Sequence, residues 1–419
     1  MHTLIVTAIY PPEPVVSAQT SAQLAEGLRE RGHCVTVITS FPNRPAGRLF
    51  PGFRRRWVQR ERTATGVTLL RCFATLAPQS RLLSRLLENL SFGLTSAWQV
   101  SIMPKPDVIY ANTWPLVATG LLALVATWRA IPLVISVQDV YPEALVAQQR
   151  MAEHGLLVRF LRWLDRAIAH ASSHVVVISP HFARIYHEQR CLPRARLSLV
   201  PNWVAAQPCA SPTAIAAYRQ QQHLAKQTFL IVYGGNVGVA AGVEQVITAL
   251  QSLDDLPDLR LLIAGAGSRL HACQQLAAMQ PMQRVLFHTP WATPETTTVL
   301  GSADLLVLPT QREQSLASVP SKLLAYMLAG RPVLATALPH SDLANIIMQA
   351  GCGWVVAPDR PDILAAQIRA IAQLSAVERQ QRGAAGRRYV LAHLTSDVCV
   401  PQIVQILEQN AKEQMYAPN

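Results

Sequence analysis

At 419 residues the chain has the length of two or three domains, each able to bury a core of its own. Half of its residues are hydrophobic and only 15% are charged, which excludes a disordered chain. A net charge of +12 and a pI near 9.8 call for an anionic partner: nucleic acid, an acidic membrane surface or a phosphorylated small molecule. The seven cysteines are scattered with no C-x-x-C pair, which is neither a zinc spacing nor a disulfide framework and fits a reducing cytoplasm. The opening MHTLIVTAIYPPEP lacks a basic n-region, and its apolar run ends too early for a secretory signal.

In chain order, TLIVTAI reads as a continuous buried strand. A helix is expected over 17–31, with Ala18, Ala22, Ala25 and Leu28 on one face and Gly32 as its stop. CVTVITS, DVIYA (107–111), PLVISVQD (132–139) and HVVVIS (174–179) repeat the theme, each with a helical stretch behind it. The longest apolar run, PLVATGLLALVATW (115–128), is shorter than the ~20 residues that span a bilayer and is expected as a buried helix. Unbroken Val and Ile runs, in place of alternation, mean strands covered on both faces, as in a parallel sheet.

The pattern restarts at FLIVYGG (229–235) and continues through LRLLIAGAG (259–267), RVLFH, DLLVLP (304–309), PVLAT and GWVVA. The expected fold class is α/β, with two doubly wound, Rossmann-like parallel-sheet domains. The first spans 1–205 and the second 227–395; a linker over 206–226 turns polar around Pro208 and Pro212, and 396–419 form a helical tail. Ligands of such sheets bind beyond the carboxyl ends of the strands. The loops after Ile9, Ala111, Val137, Ile178, Tyr233, Ala264, Leu308 and Thr336 are therefore expected to line one cleft between the domains.

Four of these loops carry chemistry. In YGGNVGVAAG, Gly234, Gly235 and Gly238, with Asn236 between them, suit either an anion-binding turn or a plain tight turn. LIAGAGSRL offers Gly265 and Gly267, but Leu270 stands where a dinucleotide fingerprint needs its third glycine, so the loop is better placed to pack against a base or ribose. In QREQSLASVPSKLLAYML, Pro320 suits a first helical turn and Ser318 an N-cap. The amides of Val319, Ser321 and Lys322 would then point out of a helix end worth ~0.3–1 kcal/mol to a nearby anion. Lys322 adds a full positive charge there, unless it is simply solvated beside a capped helix. In SVQDVYPEALVA, Asp139 and Glu143 could bind sugar hydroxyls or act as acid and base; Glu143 behind Pro142 equally suits an ordinary helix start.

Assembled, these residues resemble the family-4 glycosyltransferases of GT-B fold. The resemblance is to the bacterial branch that builds exopolysaccharide, colanic acid and O-antigen, including N-acetylfucosamine transferases. It rests on YPPEP with LAEGLRERGHCVTVIT, on SVQDVYPEALVA, on VVVISPHF with LSLVPNWV, and above all on YGGNVG followed by SVPSKLLAYMLAGRPVLA. It implies a retaining transfer of a sugar from a nucleotide diphosphate, a UDP-sugar in the first instance, to a glycan or polyprenyl-diphosphate-linked acceptor. It further implies that no metal and no cofactor beyond the donor is needed, which agrees with the lack of a D-x-D here. On this reading Asp139, Glu143 and Asn112 form the catalytic set, Asn112 standing where the family often has histidine. Gly234, Gly235, Asn236, Gly238, Gly265, Gly267, Val319, Pro320, Ser321 and Lys322 bind the donor, together with Ser318. Two glutamates common in the family are replaced by Ala317 and Ala325, with Glu313 and Ser315 as candidate substitutes, and Val239, Ala240 and Ala241 stand where a basic residue usually follows the glycine loop.

FRRRWVQRER and SRLLSRLLENLSFGLTSAWQVSIM combine arginines with Leu, Phe and Trp. They are expected either to touch an anionic membrane surface, at ~1 kcal/mol per nearby basic residue, or to form an ordinary amphipathic helix and a solvated basic loop. The expected location is the cytoplasm, peripheral on the inner face of the membrane. Nucleic acid is not an expected partner, since no helix-turn-helix, zinc spacing or aromatic sheet motif is present. A non-catalytic scaffold for a partner transferase, and a nucleotide-sugar epimerase, remain alternatives.

Overall fold

A computed structural model describes residues 1–44, 46–76, 82–112, 115–147, 151–280, 283–312 and 319–416. The chain divides into two compact units, Met1–Trp203 with Ser396–Asn419, and Val204–Thr395.

The first unit is built on eight strands: β1 (His2–Val6), β2 (Cys34–Ser40), β3 (Val58–Arg62), β4 (Thr68–Cys72), β5 (Val108–Asn112), β6 (Leu133–Val137), β7 (His174–Val177) and β8 (Leu197–Leu199). Their order is β3-β4-β2-β1-β5-β6-β7-β8, parallel throughout except that β3 runs antiparallel to β4. β1, β5, β6 and β7 are the unbroken apolar runs of the sequence, and Leu4, Ile109, Ile135 and Val175 have no accessible surface left. Each such side chain contributes ~1.5–3 kcal/mol by leaving water. β3, β4 and β8 are not among the expected strands: VQRER and LSL sit at the sheet edges half in water, and TLLRC, inside the sheet, breaks its short apolar run with a buried Arg71.

The helix Val16–Glu30 follows β1 and covers one face of this sheet. Gly32, at φ +81°, stops it, and the His33 amide returns to the Leu28 carbonyl at 3.0 Å. The C-terminal helix Ser396–Tyr416 packs against it and so belongs to the first unit. Gly27 is small for that contact: a Cβ there would lie 2.5 Å from Val400 Cγ1. The opposite face carries the helices Leu82–Ile102, Leu116–Trp128 and Leu156–Ala171. The second of these is only half buried, contrary to expectation: Leu122 and Ala126 face the sheet, while Leu124 and Trp128 are exposed.

The second unit holds β9 (Phe229–Gly234), β10 (Leu259–Ala264), β11 (Val285–His288), β12 (Leu305–Leu308), β13 (Val333–Thr336) and β14 (Gly353–Val356). All pairs are parallel, in the order β11-β10-β9-β12-β13-β14, which is the doubly wound dinucleotide-fold order 3-2-1-4-5-6. All six were legible as apolar runs. The polar stretch 206–226 carries the helix Pro212–Gln221, capped by Ser211, and its Tyr218 is buried in this unit's core. Two Rossmann-like sheets in one chain are the architecture expected from the sequence. Among the described residues no helix is long and apolar enough to cross a membrane.

Candidate functional site

In the second unit the strand order reverses between β9 and β12. Loops leaving the carboxyl ends of two such strands diverge, and the crevice between them is where doubly wound sheets hold ligands. The glycine loop after β9 and the helix Ser321–Leu328 after β12 meet there through Lys322.

The Lys322 ammonium donates to the Tyr233 hydroxyl at 2.5 Å and to the Asn236 carbonyl at 3.3 Å, and lies 4.8 Å from the centre of the Tyr233 ring. Tyr233 in turn donates to the Asn236 carbonyl at 2.6 Å. Burial lowers the ammonium's pKa to about 8. Among the described residues no carboxylate forms an ion pair with it. Four residues on, Tyr326 accepts from the Gly234 amide at 2.8 Å and donates to the Gly234 carbonyl at 3.1 Å. One helix face therefore holds the loop twice, at one and the same turn.

Gly235 sits at φ +138°, a conformation closed to side chains, and a Cβ on it would run into Lys322 Cε. Gly265, at φ +139°, and Gly267 pack on the same loop, where Cβ atoms would strike the carbonyl oxygens of Gly235 and Val237. The two glycine loops are thus one assembly. Asn236 contributes its backbone carbonyl, and Gly238 lies beside its side chain. Pro320 takes the N-cap position, extended at φ −62° and ψ 130°, with no side-chain cap bond. Helix geometry leaves the amides of Ser321 and Lys322 without an acceptor inside the helix. Val319 precedes them; Glu313, Ser315, Ala317 and Ser318 lie outside the described residues. Ala325 is half-buried on the same helix.

The first unit has its own reversal point, between β1 and β5. A cavity of about 430 Å³ opens there, lined by Thr7 and Ile9 after β1, Asn112 at the end of β5, and Gln138 and Asp139 after β6, with Arg44 and Arg85 among its other walls. Asp139 is largely buried; among the described residues no hydrogen-bond or ion-pair partner reaches its carboxylate, and burial pushes its pKa up to about 6. Asn112 donates to the Thr7 hydroxyl at 3.4 Å. Glu88, itself buried, joins the two arginines, at 2.8 Å from Arg44 and 2.9 Å from Arg85.

Glu143 is elsewhere. Its carboxylate accepts from Arg190 at 2.8 Å and Arg162 at 3.1 Å. Burial works to raise its pKa, but the Arg190 hydrogen bond and charge bring it below the usual value. Arg190 is buried, holds Asp165 at 2.8 Å, and donates to the Tyr141 carbonyl at 3.1 Å; Tyr186 donates to Asp165 at 2.8 Å. The sequence motif therefore separates into a carboxylate in the cavity, Asp139, and one fixed to an arginine, Glu143. Tyr233, Tyr326, Arg44, Arg85 and Arg190 escaped the sequence reading. The i, i+4 spacing of Lys322 and Tyr326 was the one local signal present.

The second unit's doubly wound sheet thus brings to its reversal point a lysine with no ion-paired carboxylate among the described residues and a helix start, the kind of backbone end that favours anions. Residues 17–203 match the family described as glycosyl transferase 4-like domain, and 228–373 the family described as glycosyl transferases group 1. The chain belongs to the glycosyltransferases, with the GT-B fold. It is 25% identical over 376 residues to the putative colanic acid biosynthesis glycosyl transferase WcaI of Escherichia coli K12, covering 88% of this chain and 91% of that one. With the probable glycosyltransferase WbjE of Pseudomonas aeruginosa it shares 25% over 299 residues, 71% of this chain and 74% of the relative. Among solved structures, Anabaena Alr3699/HepE in complex with UDP superposes with a TM-score of 0.71 at 16% identity, covering 98% of this chain and all of that one.

Proposed function

We propose that the protein is a retaining glycosyltransferase that moves a sugar from a UDP-sugar to a glycan or polyprenyl-diphosphate-linked acceptor in the making of an exopolysaccharide or O-antigen. The observation that carries this reading is Lys322. A half-buried ammonium held by a phenol and a carbonyl, with no carboxylate paired to it, costs folding energy that a bound diphosphate would return. The neighbouring amides of Ser321 and Lys322, which have no acceptor within the helix, suit the same anion. Likeness to WcaI, named for colanic acid biosynthesis, supports the polysaccharide setting, and the UDP in Alr3699/HepE supports the choice of nucleotide.

In this reading Lys322 and the helix end stabilise the charge that gathers on the leaving diphosphate. The nucleotide's base and ribose pack near Gly265 and Gly267. Asp139 and Asn112 orient the acceptor in the first unit's cavity, Asp139 accepting a hydrogen bond from the attacking hydroxyl, and the departing phosphate takes that hydroxyl's proton. Glu143, fixed by Arg190, acts by holding the Tyr141–Glu143 turn behind Asp139. No metal or cofactor is required.

Incubation with labelled UDP- and GDP-sugars and a bacterial lipid-extract acceptor, with and without chelator, tests the reading. It expects transfer from a UDP-sugar with retained anomeric configuration, undiminished by chelator. A requirement for magnesium, an inverted product or a preference for GDP-sugars overturns it. Ala325, in place of a family carboxylate, favours a second reading as a non-catalytic scaffold, which expects UDP affinity without turnover on every acceptor.

A further inference from the structure

On one face of the first unit's sheet the helices Leu82–Ile102, Leu116–Trp128 and Leu156–Ala171 lie side by side. Gly93 brings the first close to the second: a Cβ there would lie 2.8 Å from Ala118 Cα. Gly120 does the same toward the third, with Leu164 and Ile168 at 3.5 Å from its Cβ position. The layer is therefore continuous.

Its outer surface is apolar. Leu83, Leu87, Leu90, Leu94, Trp98 and Ile102 recur every three or four residues along the first helix, and all are exposed. Trp128 on the second helix is 74% exposed and Trp163 on the third 63%. Leu156, Leu157 and Phe160 extend the third helix's share. Most of the exposed large apolar side chains among the described residues lie on these three helices. Monomeric soluble proteins rarely leave such a surface uncovered. An apolar groove of about 300 Å³, lined by Leu121, Leu124, Trp163 and Leu164, runs between the second and third helices.

The charges on this layer have one sign outside. The only carboxylates of the three helices, Glu88 and Asp165, are buried, at 2.8 Å from Arg44 and Arg190 respectively. Arg159 and Arg166 are exposed. At 100° per residue they fall on the arc beside the one that carries Leu156, Phe160 and Trp163. Exposed Lys105 follows the first helix. Two copies of a chain with a net charge of +12, meeting through this face, would bring arginine toward arginine with no exposed carboxylate on these helices to answer it. Anionic lipid answers both features at once: phosphate for the arginines and acyl chains for Leu and Trp.

We propose that this three-helix face is a docking surface for an anionic lipid bilayer, with Trp98, Trp128 and Trp163 at the acyl boundary and Arg159 and Arg166 at the headgroups. The surface belongs to the first unit alone and does not depend on which sugar donor the protein uses.

The full chain is pelleted with vesicles of phosphatidylglycerol and phosphatidylethanolamine, and separately with vesicles of phosphatidylcholine. Binding to the anionic vesicles at least ~10-fold tighter, and weakened by salt, is expected. Leu94→Glu with Trp98→Glu, and separately Arg159→Glu with Arg166→Glu, should each lower that binding by ~10-fold or more, with unchanged Tm since all four side chains are exposed. Met348→Glu, an exposed apolar residue of the second unit, should bind as the parent does. Equal binding to both vesicle types, parental binding by both double variants, or a dimer in sedimentation velocity that Leu94→Glu with Trp98→Glu dissociates would overturn the proposal.

Discussion

The Lys322 ammonium lies 2.5 Å from the Tyr233 hydroxyl and 4.8 Å from the centre of its ring, across the point where the second sheet's strand order reverses. The pair joins the helix after β12 to the glycine loop after β9, and places a full charge where the fold concentrates ligand-binding backbone.

If Lys322 grips the nucleotide as proposed, nucleotide affinity should depend on pH. The lysine's pKa is lowered from 10.5 to about 8 by burial, so the free protein holds the ammonium below pH 8 and loses it as pH rises through 8. A bound diphosphate favours the charged form. UDP affinity should be full at pH 7 and fall above pH 8, with a proton taken up on binding at pH 8.5. Calorimetry in two buffers of different ionisation enthalpy measures that proton, and no uptake at pH 8.5 would count against the assignment.

Gly235→Ala should damage the same site from the other side. The positive φ excludes a side chain, and the added methyl meets Lys322 Cε. A loss of stability of ~1–3 kcal/mol and UDP binding at least ~10-fold weaker are expected. Thermal unfolding and calorimetry on one preparation read both.

Asp139→Asn should raise stability while lowering transfer. Burial holds the carboxyl at about 6, above the usual 3.8 of an aspartate, so the group favours the folded state at low pH and that contribution is lost as pH rises through 6. Removing the ionisable group should raise Tm by ~2–4 °C at pH 7.5, with the gain shrinking toward pH 4. Turnover should drop by ~10²-fold with UDP affinity unchanged. A loss of UDP affinity in place of turnover would move Asp139 to the donor side.

Arg190→Met should unfold the first unit far more readily than Glu143→Gln. The guanidinium answers two carboxylates and the Tyr141 carbonyl, so its loss leaves the buried Asp165 charge with no cation and only the Tyr186 hydroxyl, at a cost of ~3–5 kcal/mol. Glu143 keeps a hydrogen-bonding amide in the conservative variant. Denaturant midpoints of the two variants test the difference; equal midpoints would mean that the network does not brace the turn.

The sequence made the strands β1, β5, β6 and β7 and the whole second sheet readable, because strands covered on both faces are unbroken Val, Ile and Leu. β3 was hidden, since an antiparallel edge strand such as VQRER keeps its polar side chains half in water. Lys322 and Gly235 were legible from local spacing at a strand end. Tyr233 and Tyr326 stand inside apolar runs of the sequence, and only the fold shows their hydroxyls turned to the loop. Arg190 stands 47 residues from Glu143 and 25 from Asp165, so no local pattern announces the cluster that separates Glu143 from Asp139. The run 115–128 reads as buried in the sequence because apolar content alone cannot tell a core helix from one with an exposed outer face.

Calorimetric titration of UDP into the parent chain and into Lys322→Ala, at pH 7 with chelator present, addresses the central claim most directly. A charge-assisted contact of ~1.5–3 kcal/mol predicts a dissociation constant ~10- to 150-fold higher for the variant, at unchanged Tm or slightly above it. The same UDP affinity in both proteins would contradict it.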